Sequence, residues 1–193
     1  MSKNRLLISA ILLALVQIGF LAWMIASRAA VLRNGQEVLL KVEPVDPRDL
    51  LRGDYVRLGY DIATVPVKLI VNMQADAAST QAGPIFVRVK KDADGFWRVN
   101  SASLGEVSAA PPVNGEVDVR GTVSSGRPVD ADGAVQVDYG IDRFYLPEGE
   151  GRAIERDMRV RSFGVLAAIG KDGTPQIKAL MDGKTMLFSE PLY

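Results

Sequence analysis

The chain contains neither cysteine nor histidine. Without cysteine there is no disulfide, no thiolate nucleophile and no Cys-ligated metal, while the redox compartment stays open. Without histidine the Ser-His-Asp triad, His-ligated zinc and the usual general base near neutral pH are excluded, which confines any chemistry to carboxylate, Lys, Tyr or Ser groups. A charge of one sign is missing as well, because 23 basic residues balance 23 acidic ones. Setting aside Lys3, Arg5 and Arg28, which flank the first apolar segment, leaves 20 basic against 23 acidic residues. No basic stripe forms, so a nucleic-acid partner has no electrostatic support. Low-complexity segments are absent too, and no residue is assigned a catalytic, cofactor-binding or metal-ligating role.

The first thing present is a long apolar run. Leu6 to Ser27 carries no charge, and at 1.5 Å per residue it spans about 33 Å against a hydrocarbon core of about 30 Å. A transmembrane helix over 6–27 is predicted, with Trp23 as an interfacial anchor. A cleaved signal peptide is the rival, since Lys3 and Arg5 form a basic leader and Ser27-Arg28-Ala29 is a crude cleavage site. The length of the run favours an uncleaved signal-anchor. Lys3 and Arg5 before the span, against Arg28 and Arg33 after it, give a small positive-inside bias to a cytoplasmic leader at 1–5. The expected order is then a juxtamembrane linker at 28–36 and an extracytoplasmic domain at 37–193.

That domain reads as mainly β. Four Asp-Gly pairs (Asp94-Gly95, Asp132-Gly133, Asp172-Gly173 and Asp182-Gly183) each lie between β-type runs, and Asp-Gly suits the positive φ angles of hairpin turns. Strands are predicted at 37–43, 84–90, 96–100, 116–123, 134–139, 159–169, 176–180 and 185–188. The fold class is a single antiparallel β-rich domain, a sandwich or barrel-like meander, with one or two short helices. Small-residue or Pro-rich loops are expected at 75–83 and 106–113, and Pro47 starts a helical turn at Asp46–Leu51.

Two stretches are denser than the rest. In the first, Arg52 to Ile62 (RGDYVRLGYDI), a Gly-Asp turn leads into a strand whose alternation puts Val56, Leu58, Tyr60 and Ile62 on a core face and Tyr55, Arg57 and Asp61 on a polar one. Asp54 is expected to bond local backbone, and Tyr60 to be a core aromatic with a satisfied hydroxyl. In the second, Tyr139 to Glu155 (YGIDRFYLPEGEGRAIE), Val135, Val137, Tyr139 and Ile141 share a face while Phe144 and Leu146 fall on the other parity, so a break is expected near Asp142. A short helix over 151–158 would carry Glu148 and Glu150 at its positive end. Those two with Glu155, close to Asp142 and Arg143, could hold a hard cation or act as an acid/base pair, but a solvated helix-capping loop explains them more simply. A faint echo links Arg52-Gly53 and Tyr60-Asp61-Ile62 to Arg120-Gly121 and Tyr139-Gly140-Ile141, but the spacings differ and chance explains it better.

The motif Gly53-Asp54-Tyr55-x-x-Leu58-x-Tyr60, preceded by Pro44 to Arg52 (PVDPRDLLR) and followed by the 139–155 stretch, resembles the bacterial GDYXXLXY family over most of the chain beyond the apolar run. The resemblance implies a membrane-anchored protein of unassigned function, often encoded near polytopic membrane proteins. It supplies no catalytic residue. A likeness to the β fold of signal-peptidase-type Ser-Lys proteases fails, because no Ser lies between Ser27 and Ser79 to serve as nucleophile. The expected role is an accessory or docking protein at the bacterial inner membrane, facing the periplasm and partnering a multi-span protein. Tyr55, Arg57, Tyr139, Asp142, Arg143, Glu148, Glu150 and Glu155 are its candidate partner surface. A carboxylate-based ligand- or cation-binding domain is the alternative.

Overall fold

The computed structural model of the chain describes residues 3–43, 55–72, 82–108, 110–124, 133–146, 154, 157 and 161–190. Helix α1 (Lys3–Asn34) is apolar all round over most of its length, the pattern of a helix whose surroundings are apolar on every side. It is long and apolar enough to cross a membrane. Residues 28–34, predicted as linker, continue this helix instead. Ala29 and Leu32 explain why: both are buried, where α1 contacts the strands Phe163–Ile169 and Pro175–Asp182 of the domain. Gly35 then donates its N–H to the Val31 carbonyl (2.8 Å) and the chain turns directly into the first strand.

The strands are β1 (Gln36–Glu43), β2 (Tyr55–Arg57), β3 (Gly59–Tyr60), β4 (Thr64–Pro66), β5 (Gly83–Lys91), β6 (Trp97–Leu104), β7 (Glu116–Val123), β8 (Ala134–Gln136), β9 (Arg143–Tyr145), β10 (Phe163–Ile169), β11 (Pro175–Asp182) and β12 (Thr185–Ser189). One sheet has the order β12-β11-β10-β1-β3 and another β6-β5-β7, with β2-β9 and β4-β8 as separate pairs. All these pairings are antiparallel, and they do not close a barrel. Alternation builds the core: Val38, Leu40 and Val42 of β1, Ile85, Val87 and Val89 of β5, and Val165, Ala167 and Ile169 of β10 meet in a single apolar cluster. Arg88 and Asp118, cross-strand partners on β5 and β7, form a bidentate pair at 2.7 and 2.8 Å that is almost wholly buried.

Three of the Asp-Gly turns join hairpins, β5 to β6, β10 to β11 and β11 to β12, with Gly95 at φ +91°, Gly173 at +82° and Gly183 at +57°. The fourth does not. Beyond Gly133, β8 pairs with β4, and among the described residues the segment is hydrogen-bonded to β7 through Thr122 and Asp138, which exchange two backbone hydrogen bonds. A turn-permissive dipeptide sets local chain reversal, but the strand's neighbour is decided by what its buried residues face. Here Val135 of β8 stands opposite Val65 of β4 and both are buried. The predicted turn at Asp46–Leu51 and the loop at 75–81 lie outside the described residues, as does most of 151–158, where Ile154 and Asp157 are helical.

Candidate functional site at the paired motifs

The two dense stretches lie side by side. Tyr55–Arg57 runs against Arg143–Tyr145, and Thr64–Pro66 runs against Ala134–Gln136. Both pairings keep one register, so the ribbon continues across the gap, where the Leu58 N–H donates to the Asp142 carbonyl and the Val137 N–H to the Ala63 carbonyl, each at 2.8 Å. On its other side Gly59–Tyr60 pairs with Val42 and Glu43 of β1. The signature is thus held between β1 and the second motif.

Two tyrosines lock this arrangement. The Tyr60 hydroxyl donates to the Ile141 carbonyl at 2.6 Å, and the Tyr139 hydroxyl donates to the Ile62 carbonyl at 2.8 Å. Each ring reaches across the ribbon to the backbone two residues beyond the other, so the Tyr-x-Ile echo has a structural counterpart in a reciprocal clasp. Burial pushes both phenols far above the ordinary tyrosine range, which keeps them protonated as donors. Leu58, Ile62, Val137, Ile141 and Phe144 are buried in the same core cluster as the two rings. The predicted break falls at Asp142, between β8 and β9, with Gly140 at φ +69° just before it.

The predicted strand over 55–62 is interrupted at Leu58 and ends in a single 3-10 turn, Asp61–Ala63. That turn replaces the two-residue alternation with a three-residue period. Asp61 therefore does not join Arg57 on the outer face: its side chain is 16% exposed and sits 3.7 Å from Arg98 of β6. Its Oδ1 is buried without a hydrogen-bond partner, and desolvation raises the carboxyl above its ordinary value of 3.8 against the opposing pull of Arg98. Sequence alternation missed this carboxylate. Its only signal was its place directly after Tyr60, where the strand pattern stops.

On the outer face Arg57 and Arg143 stand opposite each other in register and both are exposed. Arg143 also approaches Asp142 at 3.6 Å. Tyr145, 69% exposed, stands opposite Tyr55. Gly53, Asp54, Glu148, Glu150 and Glu155 lie outside the described residues, and so does the side chain of Tyr55. The structure brings Tyr55, Leu58 and Tyr60 together with Tyr139, Asp142 and Arg143.

The family model described as "GDYXXLXY protein" matches residues 17–180, spanning both motifs. The chain belongs to the GDYXXLXY family. No curated protein and no solved structure matches it significantly. In this GDYXXLXY protein the motif residues Leu58 and Tyr60 build the core and the clasp, while Arg57, at one of the motif's unspecified positions, is exposed to solvent. Among the described residues, no group of three or more acidic side chains is placed to hold a metal ion.

Proposed function

We propose that this GDYXXLXY protein is a membrane-anchored accessory subunit whose domain lies outside the cytoplasm at the bacterial inner membrane and docks on a multi-span membrane protein. The observation that carries the reading is the pairing of Arg57 with Arg143, one from each motif. Like charges directly opposite on neighbouring strands cost stability, while the buried side of the same ribbon is taken up by the core and the tyrosine clasp. An exposed pair of arginines beside exposed Tyr145 has the composition of an interface, where Arg and Tyr are enriched.

Uncleaved anchoring is supported by the helix itself. A cut before Ala29 or Ala30 would fall within the turns of α1 that pack on β10 and β11. Lys3 and Arg5 ahead of the apolar run support a cytoplasmic N-terminus.

The test is purification of the full chain from native membranes in mild detergent. Alkaline carbonate should leave the wild type in the pellet, and a multi-span protein should stay bound to it. Replacing Tyr55, Arg57 and Arg143 by Ala should lower recovery of that partner with little change in the domain's melting. Undiminished recovery would refute the docking face. A rise in melting temperature with divalent cations, lost when Glu148 and Glu150 are replaced, would point to the cation-binding alternative.

A further inference from the structure

The join between α1 and the domain has no spacer. The apolar run ends at Ser27, Arg28 follows, and Ala29 and Leu32 are already buried in the domain. If the run occupies the hydrocarbon core, Ala29, already buried against the domain, lies about 3 Å beyond it, within the headgroup layer of one leaflet, which is about 5 to 7 Å deep. The base of the domain then sits among lipid headgroups.

A cleft of about 430 Å³ opens at that level, between α1, the second motif and β11. Arg28, Asp142, Arg143, Gln176 and Glu190 line it. It carries two guanidinium groups and two carboxylates, with Arg143 3.6 Å from Asp142 and Arg28 and Glu190 completing the set. A bare phosphate would find the arginines but would also face Asp142 and Glu190. A ligand carrying an anion and an N–H-bearing cation a few bonds apart satisfies both sets.

We propose that this cleft binds the headgroup of a phospholipid bearing a primary amine, of the phosphoethanolamine type. The phosphate lies against Arg28 and Arg143, where guanidinium donors suit its oxygens. The ammonium lies toward Asp142 and Glu190. A primary ammonium offers three N–H donors to those acceptors, whereas the quaternary ammonium of choline offers none. The inference rests on the membrane anchoring proposed above and shares Arg143 with the docking face, and the residues that test it, Arg28 and Glu190, lie outside that face.

The experiment uses the full chain, stripped of lipid in detergent and placed in nanodiscs of phosphatidylcholine alone, or of phosphatidylcholine with either phosphatidylethanolamine or phosphatidylglycerol. Lipid retained on the protein is read by native mass spectrometry and melting is followed in parallel. Phosphatidylethanolamine should be retained in preference to both other lipids and should raise the melting temperature. The Arg28→Gln and Glu190→Gln double variant should lose about tenfold of that retention, and Arg28→Lys should keep part of it. Both variants should melt like the wild type in phosphatidylcholine alone. Equal retention of phosphatidylcholine, or stronger retention of phosphatidylglycerol, would overturn the assignment. Soluble glycerophosphoethanolamine reproducing the full melting shift would reassign the cleft to a free ligand. Protein that stays in the carbonate pellet yet shows no lipid preference would sink the headgroup site while leaving the anchor standing.

Discussion

Tyr60 and Tyr139 hold each other's strands: each hydroxyl donates to the carbonyl two residues past the other tyrosine, Ile141 in one case and Ile62 in the other. Both rings are buried, so each bond is shielded from water and its loss leaves a carbonyl without that donor. Tyr60→Phe and Tyr139→Phe should each destabilise the domain by about 1 to 3 kcal/mol. The two bonds close the same ribbon, so the double variant should depart from additivity, a coupling that a double-mutant cycle in urea measures directly. Simple addition of the two costs would mean that the bonds act independently.

Leu58 and Arg57 are neighbours with opposite fates, one buried and one exposed. Leu58→Ala should cost about 2 to 5 kcal/mol through the cavity it leaves, while Arg57→Ala should stay within about 0.5 kcal/mol. Thermal melts of the two variants decide the matter, and similar melting temperatures would contradict the strand faces described.

Gly35 is the hinge point between helix and sheet, and it has no room for a side chain. A Cβ there would lie 2.6 Å from the Val31 carbonyl oxygen and 2.9 Å from that of Ile169. Both are backbone atoms, which cannot rotate away. Gly35→Ala should therefore loosen the junction at a cost of about 1 to 3 kcal/mol, read as faster proteolysis next to Gly35. Protection equal to wild type would show that the junction absorbs the change.

Asp61 should give the domain an unusual pH response. Its carboxyl is raised above 3.8 in the folded state, chiefly by desolvation, so between the unfolded and folded values the native protein binds more protons than the unfolded chain. Stability then falls as pH rises through that window and is greater below it. Asp172 works the other way, because the Thr174 hydroxyl and N–H lower its value; its contribution is present above the unfolded value and is lost as pH falls through the folded one. The difference in melting temperature between wild type and Asp61→Asn, followed from about pH 7 down to the ordinary carboxylate range, should shift in favour of the wild type. A flat difference would mean that Asp61 titrates normally.

The sequence alone determined what depends on neighbours along the chain. A charge-free run made α1 wherever it sits, Asp-Gly pairs made the β5–β6, β10–β11 and β11–β12 hairpins, and alternation along β1 and β5 sorted core from surface. The parity change around Asp142 announced the break between β8 and β9. Only the tertiary structure decided which strand lies beside β8, because that choice rests on Val135 meeting Val65 across a separation that no local pattern encodes. The same holds for the tyrosine clasp, whose donors and acceptors lie 81 and 77 residues apart along the chain. Asp61 left the outer face because one 3-10 turn rotated it toward Arg98, and the predicted linker became helix because Ala29 and Leu32 found a surface on β10 and β11. Local propensity chooses an element; burial against a distant partner chooses its neighbours, and with them the surface left for function.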